Sequence, residues 1–366
     1  MTGHERLMAI LNRQPVDRLA WTTLVDDRTR SVMPKEVRGL PVLDFYRYIG
    51  CNIMQFGSYG LPAEQQVKMA WRVWPARESW TQEDAGQVHR ITSDRGTLTA
   101  IFRSDHPVRY PIQGPQDLET FTWLWEQAHY EQVEGAADNC RRGEEAVGRD
   151  GMFFPTLGPS PLQDLIEVQM GLENFYYFLQ DYPSQMQRCL DAMHRARLEE
   201  YEIVARCMAG PAMIPVENTS SSLTSPEIYR RYSLPQIQDY VRIAHRHGRK
   251  VVLHMCGRLR SLLGLIAQTG ADGINALTPP PVGDCPFEYA LDVLGEDLVM
   301  MGNIFQGTVF HKSQVTREEI WRALDGLYTP RIRRAHMLLW LGADGLPTPL
   351  ERFLAVQEWM EKNAAN

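Results

Sequence analysis

Residues 250–277, KVVLHMCGRLRSLLGLIAQTGADGINAL, hold the unit that decides the fold. Lys250–His254 is a short apolar run, Leu259–Thr269 carries helical spacing, and Asp272–Leu277 is apolar again. Neither run alternates polar with apolar, which is the pattern of a parallel strand covered by helices. The rhythm extends upstream through strands at Met152–Leu157 and Ala212–Val216 and helices at Pro161–Met170, Pro183–Met208 and Pro226–His247. It extends downstream through strands at Asp297–Met301 and His336–Leu341, with helices at Pro286–Leu294, Arg317–Leu327 and Pro349–Glu361. With Leu40–Gln55 as an earlier helix–strand unit, the number approaches eight, and the reading is an α/β protein, a (β/α)8 TIM barrel. A doubly wound nucleotide fold is disfavoured, because no G-x-G-x-x-G follows a strand and no Walker-type loop is present.

Residues 64–105 break the rhythm. Gln66–Val73 and Val88–Phe102 read as antiparallel strands around turns such as Ser93–Gly96, so an inserted antiparallel hairpin is expected near the barrel mouth. No repeat or long linker divides the chain, and residues 1–366 are read as one domain.

Composition sets the partners. The 366 residues carry a formal charge of −7 and are 44% hydrophobic, an ordinary core fraction. An acidic chain without a basic run is a poor match for a phosphate backbone, so no nucleic acid is expected. The N-terminus has no apolar signal core, and the apolar stretch around Ala335–Gly342 is too short to cross a membrane. Six scattered Cys show no disulfide framework, and the expected location is cytoplasmic.

In a barrel the chemistry belongs at the C-terminal ends of the strands. There His254 and Cys256 stand two apart, so both can point to the same side, and imidazole with thiolate is a pair that zinc prefers. Asp344 follows the last strand in Gly342-Ala343-Asp344-Gly345 and is read as a helix N-cap or a metal ligand. Glu217 ends an apolar strand, where a carboxylate needs a partner to offset its desolvation. Phe154 and Asn218, also at strand ends, are the expected substrate contacts. Cys285, in a long loop, competes with Asp344 as a sulfur ligand, and the other four Cys read as small hydrophobes.

The chain resembles the uroporphyrinogen decarboxylase superfamily, and within it the zinc- and corrinoid-dependent methyltransferases. The resemblance runs from Glu5-Arg6-Leu7 and Pro15-Val16-Asp17-Arg18-Leu19 through Gly96-Thr97-Leu98, Ser225-Pro226-Glu227 and Leu253-His254-Met255-Cys256-Gly257. It continues through Ala276-Leu277-Thr278-Pro279-Pro280-Pro281 to Gly345-Leu346-Pro347-Thr348-Pro349-Leu350. It implies a barrel holding zinc through His254, Cys256 and a residue of the last loop. The coenzyme M methyltransferases have Cys in that loop, within G-C-G; here Asp344 stands in its place. A carboxylate for a thiolate leaves a stronger Lewis acid, suited to a substrate oxygen. The chain is thus similar to methyltransferases that take methyl from an O-methyl substrate, such as a methoxylated aromatic, and pass it to a Co(I) corrinoid. Glu217 is then either a fourth ligand that substrate displaces or a proton shuttle. No D-x-H-x-x-G motif is present, so a partner corrinoid protein is expected to bring the cobalamin, with a homodimer left open.

Two alternatives stand beside this reading. One is a metal-free uroporphyrinogen decarboxylase; its Arg-rich motif survives only as Arg30 and Pro34, and Asn52 stands where its Asp belongs. The other is a non-catalytic barrel that docks a corrinoid or tetrapyrrole.

Overall fold

The computed structural model describes residues 1–104, 106–295, 298–304, 314–343 and 345–363, without the side chains of residues 303 and 304. Seven parallel strand segments form one curled sheet, in the order β1 (Ala20–Leu24), β15 (Met337–Gly342), β14 (Val299–Ile304), β13 (Gly273–Leu277), β12 (Lys250–His254), β11 (Ala212–Pro215) and β10 (Thr156–Leu157). A separate parallel pair, β2 (Ile53–Phe56) and β9 (Gly151–Phe154), fills the arc between β10 and β1. Pro155 separates β9 from β10, since proline brings no N–H to a ladder, so the two are one interrupted barrel strand. Asn52 N–H donates to Trp21 O at 2.8 Å and closes the β1–β2 seam. The result is the eight-stranded, TIM-barrel-like architecture that the rhythm indicates.

Alternation along each strand sorts side chains into two layers. Ala20, Met54, Met152, Phe154, Ala212, Ile214, Val252, Val299, Met301, Leu338 and Trp340 make the packed barrel interior. Met213, Val251, Leu253, Ile274, Leu339 and Leu341 pack outward against the helices. Both faces are buried, hence the continuous apolar runs.

The inserted hairpin lies within a larger unit. β4 (Arg77–Glu83), β5 (Gly86–Ser93), β6 (Gly96–Arg103) and β7 (His106–Arg109) form a four-stranded antiparallel sheet in sequential order, with β5 and β6 turning at Ser93–Gly96. Its Ile91 and Leu98 pack on Leu118 and Phe121 of the Pro115–Gln127 helix. Of the strand expected over 66–73 only β3 (Ala70–Val73) forms, pairing with β8 (His129–Gln132). The expected 161–170 and 226–247 helices each contain a widened π-helical turn, at Leu165–Gln169 and Tyr229–Ser233. No helix among the described residues is long and apolar enough to cross a membrane.

Gly151 opens β9 against β2, and a Cβ there would sit 1.8 Å from Ile53 O. That neighbour is backbone and cannot yield without breaking the β2–β9 pairing. Gly151→Ala should therefore cost about 3 kcal/mol in urea denaturation, at the upper end for an overpacked site; an unchanged midpoint would contradict this packing.

Candidate functional site at the barrel mouth

β12 supplies the centre. Val252 points into the barrel interior while Val251 and Leu253 point outward, so His254 and, two further on, Cys256 face inward at the open end. Val216 extends β11 by one bridge to His254, and Asn218 N–H donates to His254 O at 2.9 Å. Parity then brings Asn218 inward, where its Oδ1 lies 3.8 Å from Cys256 Sγ. Cys256 is also the one cysteine of the six that is not buried.

His254 is oriented from the next strand. The β12–β13 register sets it opposite Asn275, and its Nδ1 lies 2.5 Å from Asn275 Oδ1. Asn275 is itself held, its amide nitrogen 3.7 Å from Met301 Sδ. With that nitrogen donating to Met301, Oδ1 is the acceptor, so Nδ1 of His254 carries the proton and Nε2 keeps its lone pair. This is how a metal-binding imidazole is commonly oriented. Burial lowers the His254 pKa from the ordinary 6.5, with the Asn275 bond working against it, and keeps the ring neutral at pH 7. Directly after Asn275 the register shifts and Ala276 takes a φ of 65°, a strained bulge next to the site.

Aromatic rings complete the wall. Phe56, at the tip of β2, meets His254 edge-on at 5.3 Å between ring centroids and Trp340 at 5.8 Å. Phe154, expected at a substrate pocket, is 1% exposed and packed within the interior, whereas its register partner Phe56 is half-buried. Neither Phe56, Trp340 nor Asn275 was singled out from sequence. Their signal is parity: Phe56 and Trp340 stand an even number of residues from the interior Met54 and Leu338.

Glu217 faces the other way. It follows the inward Val216 and enters the layer between sheet and helices, fully buried, with Oε1 accepting the Ser160 N–H at 2.9 Å. Its charge is felt electrostatically by Arg197 and by the buried phenol groups of Tyr201, Tyr229 and Tyr240, all on surrounding helices. Arg197 bridges Asp164 at 3.1 Å and Glu200 at 2.9 Å. Its guanidinium lies so close to Gly158 that a Cβ there would be 2.7 Å from Nη1. The structure therefore does not bring Glu217 to His254 and Cys256, against the sequence expectation of a ligand or proton shuttle in the mouth.

Among the described residues no three His, Cys, Asp or Glu side chains gather to hold a metal ion. Asp344, the third ligand expected from sequence, lies outside the described residues. Its flanks are tied to the loop after β1: Thr29 Oγ1 donates to Ala343 O at 2.8 Å, and Gly345 N–H donates to Asp26 Oδ2 at 2.9 Å. Cys285 is buried in the outer core, its thiol pushed up to about 12 by burial and by Asp284. Asp284 Oδ1 accepts the N–H groups of Leu259 and Arg260 at 2.7 and 3.0 Å, stitching the β12 and β13 loops together.

With this barrel and mouth in view, the family is defined by comparison. The chain matches the family model of uroporphyrinogen decarboxylase (URO-D) over residues 164–346, half its length, and belongs to that family. It is 29% identical over 207 residues to the methylated-thiol–coenzyme M methyltransferase of Methanosarcina mazei, covering 55% of this chain and 52% of that one. It thus spans about half the length of the curated relative it matches. A solved structure of a methyltransferase from Methanosarcina mazei shares the fold, with a TM-score of 0.57, 16% identity and 99% of both chains covered.

The Glu217 environment sets a pH signature. Burial pushes its carboxyl up to about 7, against the bonds from Ser160 and the charge of Arg197. A raised carboxyl pKa gives stability that is full below the unfolded value near 4.5 and is lost as pH rises through 7. Glu217→Gln should accordingly gain on the wild type by up to about 3 kcal/mol between pH 5 and pH 8. A pH-independent difference in thermal midpoint would contradict the assignment.

Proposed function

We propose that this protein is a methyltransferase. It takes a methyl group from an O-methyl compound, most readily a methoxylated aromatic, and passes it to a corrinoid carried by a partner protein, at a zinc site formed by His254, Cys256 and Asp344. The observation that carries the reading is the inward His254–Cys256 pair, with Nδ1 of the histidine engaged by Asn275 and Nε2 left with its lone pair. A neutral imidazole and the one cysteine that is not buried fit a borderline-soft ion. When bound, zinc supplies Lewis acidity toward a substrate oxygen.

The chain's own residues then orient and shield. Asn275 fixes the imidazole plane and tautomer. Phe56, backed by the buried Trp340, offers an aromatic ring beside His254, suited to a planar substrate with a polar edge. Asn218 places an amide oxygen next to Cys256 and can meet a polar substituent of the substrate. Glu217 acts from behind as a positioning residue, joining the β11 tip to the Ser160 amide at the β10 tip.

Membership in the URO-D family and the methyltransferase relative support transfer of methyl. That relative acts on a methylated thiol, and the choice of oxygen here rests on Asp344 in place of a second thiolate. Decarboxylation is disfavoured, because the Arg30 guanidinium is engaged by Leu40 O at 2.6 Å and Asp27 at 3.0 Å. Asn52 also offers no carboxylate to a pyrrole N–H array.

Elemental analysis of protein purified without chelators should find about one zinc per chain, lost in the His254→Ala, Cys256→Ala double variant. Asp344→Ala should weaken zinc binding and Cys285→Ala should not. The loaded protein should demethylate a methoxylated aromatic when given a reduced corrinoid protein. Metal-free protein, or zinc without demethylation of any O-methyl donor, would overturn the proposal.

A further inference from the structure

The inserted four-stranded sheet ends in two unlike edges. β7, on one side, is four residues long, includes Pro107 and meets its neighbour through a register shift at Ile101–Phe102. Short length, proline and a bulge are the devices that keep a sheet edge from pairing with another chain. β4, on the other side, has none of them. It runs in unbroken register with β5 over Arg77–Glu83, contains neither Pro nor Lys, and has all seven residues exposed. Its backbone is open as well. Glu83 and Gly86 close a two-residue turn and so form a hydrogen-bonded pair. Alternation along the ladder then turns the N–H and C=O of Glu78, Trp80 and Gln82 away from β5. Among the described residues no backbone bond leaves β4 except to β5.

The strand is also complementary to itself. Its sequence is Arg77-Glu78-Ser79-Trp80-Thr81-Gln82-Glu83. Laid antiparallel on a second copy about Trp80, it sets Arg77 opposite Glu83, Glu78 opposite Gln82, Ser79 opposite Thr81, and Trp80 opposite Trp80. Opposite charges, hydroxyl pairs and aromatic pairs are each favourable across strands, and no like charges meet. Arg77 is exposed and makes no ion pair among the described residues. Glu83 bonds Arg90 at 2.7 Å, and its carboxylate keeps lone pairs for a second guanidinium. Trp80 is 52% exposed, yet its ring is already fixed by stacking on His89, centroids 4.1 Å apart. It therefore loses little freedom on pairing.

We propose that β4 is a docking edge for a second copy of this chain, which joins two inserted sheets into one across a two-fold axis at Trp80. The outward backbone groups of Trp80 bond their counterparts, and those of Glu78 bond those of Gln82 in the other copy. Any other centre of pairing shortens the overlap and separates Arg77 from Glu83. The proposal is independent of the methyl-transfer reading, since no residue of the mouth enters it.

Sedimentation velocity of the full-length protein from about 1 to about 100 µM tests it, a range suited to a contact this narrow. A reversible monomer–dimer equilibrium should appear. Arg77→Glu and Glu83→Arg should each weaken it roughly tenfold or more, because like charges then face each other twice. An equimolar mixture of those two variants should recover the dimer, since each offers the charge that the other lacks. Gln82→Pro, which removes an outward N–H and spares the ladder to β5, should abolish association with the circular dichroism spectrum unchanged. Protein that stays monomeric throughout the range overturns the proposal and leaves the edge to a foreign strand. A dimer that survives all three substitutions, or charge variants that do not recover on mixing, overturns it equally.

Discussion

The parallel pairing of β11, β12 and β13, carried one bridge past the strand end at Val216–His254, is the constraint on which the site depends. Strand parity leaves two destinations for each side chain at a tip, and one residue of slip would exchange them. With this register Asn218, His254 and Cys256 reach the mouth and Asn275 stands beside the imidazole. Glu217 is sent into the helical layer. The candidate site residues are thus brought together by backbone pairing.

Two polar systems result, back to back across β11. The one in the mouth is sparse: an imidazole with one nitrogen engaged, a thiol, an amide and the ring of Phe56. The one behind is dense, with Glu217, Arg197, Asp164 and three tyrosines buried together. Burying such groups is costly unless they are paired, and the two π-helical turns flank this region. Through the Glu217–Ser160 bond it links the tips of β10 and β11. Across the barrel, Asp26 and Thr29 do the corresponding work for the last loop by holding the backbone on both sides of position 344.

Much of the fold was legible in the sequence because barrel strands buried on both faces read as apolar runs between amphipathic helices. What escaped has physical causes. β1 is five residues long, and Pro155 splits a strand that composition alone reads as continuous. The H-x-C pair could be found, since two residues on one strand share a side whatever the register. The direction of Glu217 could not, because a strand with apolar residues on both faces carries no mark of which is inner. Asn275 and Trp340 needed the register of neighbouring strands, which no single segment encodes. Phe154, expected at a strand end as a substrate contact, packs among interior side chains, while the ring touching His254 belongs to Phe56.

The central claim is that the barrel mouth presents one sulfur and one imidazole nitrogen to a single ion. X-ray absorption at the zinc edge of the purified protein tests it most directly. The account predicts one sulfur scatterer per zinc, with the remaining positions filled by nitrogen and oxygen and an outer-shell imidazole signature. Two or more sulfur scatterers, or an absorber without sulfur, would contradict it.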